Sequence, residues 1–153
     1  MVHHGKAKIT DFGNSKSMNT ATNIHDGLFG NIPYVAPEVL NASKTKQDPY
    51  TIYSDIYSLG VLLWEISSGQ SPFKDESNYA IITATLSGDR EKRVPDTPDK
   101  YYTLYNQCWH DNPEERHSVE YVYNVLEKLL KNESKIMNNN EGCEPEKEID
   151  EGK

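Results

Sequence analysis

Long hydrophobic runs are missing from this sequence. The longest, Ile56 to Ile66, spans 11 residues and contains Glu65, about half of the ~20 apolar residues that a membrane-spanning helix needs. An excess of cations is missing too. Lys and Arg number 16 against 24 Asp and Glu, which leaves a net charge of −8 and a pI near 5.1. Binding to nucleic acid rests on clustered Lys and Arg that release counterions, so neither a nucleic acid nor a membrane is the expected partner. Cysteine is scarce: Cys108 lies in the body of the chain and Cys143 near its polar end. A disulfide tying a core to such an end is not expected, which favours a reducing, cytoplasmic setting. No run resembling a secretory signal follows Met1, and the sequons at Asn41 and Asn132 read as chance matches. There are no internal repeats.

The 153 residues suffice for one domain with a real core. Mean hydropathy is −0.79, so part of the length is expected to stay unpacked. Residues 132–153, rich in Asn and Glu with one Ile and one Met, offer too little apolar surface to offset the entropy of ordering and are expected to form a disordered acidic tail. Residues 1–131 are then the domain.

Along that domain, Ala7 and Ile9 alternate with Lys8 and Thr10, the period of a half-buried strand whose inward face holds Ala7 and Ile9. The strand ends at Asp11-Phe12-Gly13, where a carboxylate is followed by a loop-opening Gly. Residues 14–35 show no apolar period and read as a long functional or disordered loop. Ala36-Pro37-Glu38-Val39-Leu40 starts a short helix, with Pro37 tolerated in its first turn. Residues 52–66 carry almost no polar face, so they predict a helix buried on all sides. Thr51 or Ser54 caps it and Gly69 stops it.

Three further helices follow in the pattern. Asp75 or Ser77 opens NYAIITATL, which Gly88 closes. Thr97 is expected to cap the next helix, with Pro98 at its first position, and residues 110–117 break it. Ser118 caps the last helix, where Val119, Val122, Val125, Leu126, Leu129 and Leu130 recur at three-and-four spacing. The expected fold is mainly α, with one short N-terminal β-hairpin and about five helices.

Four motifs in this order carry a resemblance: D-F-G at 11–13, G-N-I-P-Y-V-A-P-E at 30–38, S-D-I-Y-S-L-G at 54–60 and C-W-x-x-N-P-E-E-R at 108–116. Together they resemble the C-terminal lobe of a protein kinase domain, and their wording is similar to the tyrosine-kinase-like group of serine/threonine kinases. The resemblance implies that Asp11 binds the Mg²⁺ that bridges ATP phosphates and that Phe12 packs toward the N-lobe side, with Gly13 completing the motif. It implies that residues 14–35 are the activation segment, and that Asn31, Ile32, Pro33 and Tyr34 face the protein substrate. Thr is usual where Asn31 stands. It further implies that Glu38 and Arg116 form a buried ion pair, that Asp55 caps the catalytic loop from below, and that Leu62 and Ile66 support the adenine side of the core.

Phosphoryl transfer needs several parts at once. The family's Gly-rich loop, strand Lys, H-R-D Asp and metal-binding Asn would all precede Asp11, and none stands in this sequence. The resemblance therefore implies a chain truncated just after the catalytic loop, with an N-lobe missing and Mg²⁺ and ATP belonging to the intact family. Such a chain is expected to be catalytically incompetent alone.

Plainer readings stand beside these. Asp11 is alternatively a strand-end turn residue. His3 and His4 beside Gly5 read as a turn rather than a metal pair, since neighbours on a strand face opposite ways. Ser15, Ser17, Thr20 and Thr22 are candidate phosphosites in a loop rich in hydroxyls anyway. Cys108 beside Trp109 reads as a small buried hydrophobe. Two functions stay open: part of an ATP-dependent protein kinase, or a non-catalytic docking or regulatory module.

Overall fold

The computed structural model describes residues 2–12, 15, 31–42 and 50–140; for Val2 and residues 133–140 it describes backbone alone. Gly13, most of the stretch 14–30, the loop 43–49 and residues 141–153 lie outside the described residues, and with them Ser17, Thr20, Thr22 and Cys143. The described elements are a two-stranded hairpin and five α-helices, mainly α as the pattern predicts.

The hairpin pairs β1 (Val2–His3) with β2 (Lys6–Ala7) antiparallel, in the register Val2↔Ala7 and His3↔Lys6. His4 and Gly5 turn between them at φ 49° and 70°, the paired left-handed conformation that matches strand twist in a two-residue hairpin loop. The strand thus ends earlier than its alternation suggests. Ile9, expected inward, is 84% exposed, because no described element packs over that side of the hairpin.

Helix α1 (Pro37–Asn41) leads to α2 (Ile52–Ser68), the centre of the domain. Thr51 accepts from the Tyr53 N–H at 3.2 Å, while Ser54 Oγ accepts from the Thr51 N–H at 2.9 Å. Gly69 ends the helix at φ 65°, donating to Glu65 O at 2.8 Å. Helix α3 (Asn78–Leu86) is capped by Ser77. Helix α4 (Asp99–Cys108) takes Pro98 rather than Thr97 as its N-cap, one residue later than expected. Pro98 sits at ψ 137°, extended rather than helical, and its carbonyl takes the Tyr101 and Tyr102 N–H groups.

Helix α5 (Val119–Asn140) opens with Ser118 Oγ accepting from the Tyr121 N–H at 3.2 Å. Its backbone runs past the expected domain end at residue 131. Extending a formed helix costs far less than nucleating one, and the turn before the boundary is braced by an i,i+4 bond from Lys131 to Glu127 at 2.9 Å.

The core gathers Val35, Ala36 and Val39, the inner face of α2 (Ile56, Tyr57, Val61, Leu63, Trp64), Leu104, Tyr105, Cys108 and Trp109 of α4, and Val122 of α5. Helix α2 is not buried on all sides. Ile52, Asp55, Leu59, Leu62 and Ile66, spaced three and four residues apart, form a stripe that is exposed except at half-buried Leu59. Burial follows what packs on each face, and no described element covers this one. No helix among the described residues is long and apolar enough to cross a membrane.

Candidate functional site

Arg116 is the most fully committed side chain of the domain. It follows a 3₁₀ turn at Pro113–Glu115, and none of its side chain is exposed. Its guanidinium donates to both Glu38 oxygens, at 2.7 and 2.8 Å. The remaining N–H groups reach Tyr53 O at 2.9 Å, His110 O at 2.8 Å and Asp111 O at 3.3 Å. All five donors are thereby used, the condition under which a buried guanidinium is tolerated. Glu38, in the first turn of α1, keeps 24% of its side chain exposed. The pair ties the segment leading into α1 to the base of the helical body.

That segment carries Asn31–Tyr34. Ile32–Tyr34 form one 3₁₀ turn, closed by Tyr34 N–H to Asn31 O at 2.9 Å. Asn31 is exposed and Pro33 buried. Helix α2 holds the turn twice: the Tyr34 hydroxyl donates to Glu65 Oε2 at 2.6 Å, and Ser58 Oγ donates to Tyr34 O at 2.7 Å. Partial burial, then the Glu65 carboxylate, push the Tyr34 hydroxyl up to about 12.

Asp55 sits in the first turn of α2, where the helix N-terminus favours its charge. No described side chain or N–H donates to its carboxylate, and desolvation raises its pKa. Leu62 and Ile66 lie on the same exposed stripe, Ile66 at 66%. Asp11 and Phe12 follow the N-terminal hairpin. Asp11 is exposed with a left-handed φ of 62°, and Phe12 is 68% exposed. Phe12 O accepts from the Ser15 N–H at 3.0 Å.

The donor chemistry for a metal is thin. Among the described residues no three His, Cys, Asp or Glu side chains converge. Mg²⁺ on a single carboxylate keeps its waters and depends on other oxygen ligands, so Asp11 with the described residues does not make a magnesium site by itself. His4 falls in the hairpin turn and His3 on the strand before it. Cys108 is fully buried, and desolvation pushes its thiol up to about 12, far from a reactive thiolate.

Two features escaped the sequence pattern. The guanidinium groups of Arg90 and Arg116 both lie over the ring of Tyr57, each 5.2 Å from its centroid. Arg90 in turn bonds Trp109 O at 3.0 Å, Thr85 O at 3.1 Å and Asp111 Oδ1 at 2.5 Å. Nothing in the linear order joins these residues. The Tyr34–Glu65 bond did leave a trace, since Glu65 is the one carboxylate in the apolar run 56–66 and calls for a donor.

The model of the protein tyrosine and serine/threonine kinase family matches residues 1–126. Mitogen-activated protein kinase kinase kinase 13-A of Xenopus laevis is 35% identical over 123 residues, which is 80% of this chain and 12% of that protein. A probable LIM domain-containing serine/threonine-protein kinase of Dictyostelium discoideum is 31% identical over 123 residues, again 80% and 12%. Mitogen-activated protein kinase kinase kinase 12 of Rattus norvegicus is 34% identical over 116 residues, 75% and 12%. The chain therefore spans about an eighth of the length of these relatives.

Proposed function

This chain belongs to the protein tyrosine and serine/threonine kinase family, and on that premise we propose that it is the substrate-binding half of a signalling serine/threonine kinase. The whole kinase would transfer the γ-phosphate of ATP to a Ser or Thr hydroxyl of a protein. One observation carries this reading: the five-bonded Arg116 anchors Glu38, and so fixes the approach to Asn31–Tyr34, which α2 grips through Glu65 and Ser58. A rigidly held turn with one exposed end, at Asn31, is what positioning an acceptor hydroxyl requires. In this reading Asn31, Ile32, Pro33 and Tyr34 face the protein substrate.

The other roles belong to the same proposal. Asp11 takes the magnesium position, where further ligands must come from phosphate and from outside the described residues. Phe12 packs toward the nucleotide side, and Gly13 completes the motif from outside the described residues. Asp55 caps the backbone of a catalytic loop from below, and Leu62 and Ile66 of the exposed α2 stripe support the adenine side of the core.

By itself the chain transfers no phosphate in this reading, since its sequence contains no Gly-rich phosphate loop and no H-R-D. The experiment is to assay the purified chain for phosphorylation of a Ser/Thr protein substrate and for Mg-ATP binding by calorimetry. Absence of both is expected, and turnover at ordinary kinase rates would overturn the incompetence. A hybrid of this chain with the N-lobe and catalytic loop of a tyrosine-kinase-like kinase tests the family role. Activity lost on Asp11→Asn supports it; an inert hybrid that folds and binds Mg-ATP sinks it.

A further inference from the structure

Helices α4 and α5 leave a cavity of about 350 Å³ between them, open to solvent. That volume falls within the range of small-molecule sites, roughly 300–1,000 Å³. Its floor is Leu104 of α4, which is fully buried, with half-buried Val125 and Leu129 of α5 beside it. His117 and Tyr121 form an aromatic wall, their ring centroids 4.0 Å apart and their planes 31° from parallel. Tyr121 keeps 49% of its surface exposed, so this wall is wet and free to be covered. Burial lowers the pKa of His117, which leaves its ring uncharged at neutral pH and able to donate one N–H.

The charge of the lining is the second observation. Lys100 of α4 and Lys128 of α5 reach the cavity, one from each helix. Both are exposed, and neither forms an ion pair with a described residue. Asp99 is the one carboxylate in the lining, and Arg93 holds it at 2.5 Å. Glu127, beside Lys128 in the chain, is bonded to Lys131 at 2.9 Å. The lining therefore has two uncommitted cations and no uncommitted anion. The Thr103 hydroxyl, also in the lining, bonds no described residue. An apolar floor, a ring to lie on and a few convergent donors are what a small-molecule site needs. The chain as a whole carries −8, which repels a long polyanion. A small monoanion meets mainly the cations within a Debye length, about 8 Å.

We propose that this cavity binds a small aromatic carboxylate, its planar ring laid against Tyr121 above Leu104 and Leu129 and its carboxylate paired with Lys100 and Lys128. The site needs no phosphate transfer by this chain, and it stands or falls separately from the kinase reading.

The test is an NMR titration of the full chain with cinnamate, following backbone amides. Resonances of residues 99–104 and 121–129 should shift together and saturate with a dissociation constant of about 1 mM. The neutral analogue cinnamamide should bind about fivefold more weakly, and so should cyclohexylpropionate, which keeps the charge and loses the planar ring. The double variant Lys100→Gln, Lys128→Gln should also lose about fivefold, as should Tyr121→Ala. All three side chains are exposed, so circular dichroism should show these variants folded. Lys74→Gln, Lys92→Gln makes the same charge change away from the cavity and should bind as the parent does. Cinnamate should raise the thermal midpoint of the parent more than that of the Lys100, Lys128 variant. No saturation by about 10 mM cinnamate, equal affinity for cinnamamide, or equal affinity after loss of both lysines overturns the proposal. So does displacement of cinnamate by a peptide of the chain's own residues 141–153 at about tenfold lower concentration, which would make that acidic segment the occupant.

Discussion

Gly60 of α2 and Cys108 of α4 meet so closely that a β-carbon added to Gly60 would stand 2.9 Å from Cys108 Cβ. The Trp109 N and Tyr105 O atoms lie 3.0 and 3.1 Å from the same point. The missing side chain is what lets the two helices pack backbone to backbone. Gly60→Ala should therefore destabilise the chain by about 1–2 kcal/mol, because overpacking outweighs the helix propensity that Ala adds. Urea unfolding measures it, and a more stable variant would mean that the two helices are not held this near.

Arg116→Ala removes a charge that none of the solvent reaches and strands Tyr53 O, His110 O and Asp111 O. A loss of about 3–5 kcal/mol in equilibrium unfolding is expected. Arg116→Lys should recover little of it, since an ammonium cannot span both Glu38 oxygens and three carbonyls. A loss below about 1 kcal/mol for Arg116→Ala would show that the pair is dispensable.

Tyr105 is fully buried, and its hydroxyl finds no hydrogen-bond partner among the described residues. Its ring stacks edge-on against Tyr101, Tyr102 and Trp109, with centroids 5.1 to 5.9 Å apart. Tyr105→Phe keeps those contacts and deletes the unmatched hydroxyl, so stability should hold or rise by up to about 1 kcal/mol. A thermal melt that falls instead would reveal a partner for the hydroxyl.

The Tyr34 hydroxyl, raised from 10.0 to about 12, gives a dependence on alkaline pH. The folded chain holds this proton more tightly than the unfolded chain, so the stabilisation is whole below pH 10 and is lost as pH rises through about 12. Comparing the parent with Tyr34→Phe cancels the other titrations. The stability difference between them should shrink across that window, and a constant difference would remove the Tyr34–Glu65 bond as its source.

Much of the fold was legible because it is written in short-range chemistry. Thr51, Ser77 and Ser118 cap helices where a hydroxyl precedes an apolar run, and Gly69 ends α2 because only a residue without a β-carbon enters the left-handed region freely. The ordered motifs around Asp11, Glu38, Asp55 and Arg116 carried the family, since motif order survives in the linear sequence. What lay beyond it were relations between faces. An apolar α2 looks buried everywhere in one dimension, but Ile52, Leu62 and Ile66 are wet, because a hydrophobic stripe is covered only where another element lies across it. Likewise only the folded chain decides that Arg90 and Arg116 both lie over Tyr57, and that Lys74 and Lys92 border one cleft. Local conformation follows from neighbours a few residues away; charge and burial depend on distances that folding alone sets.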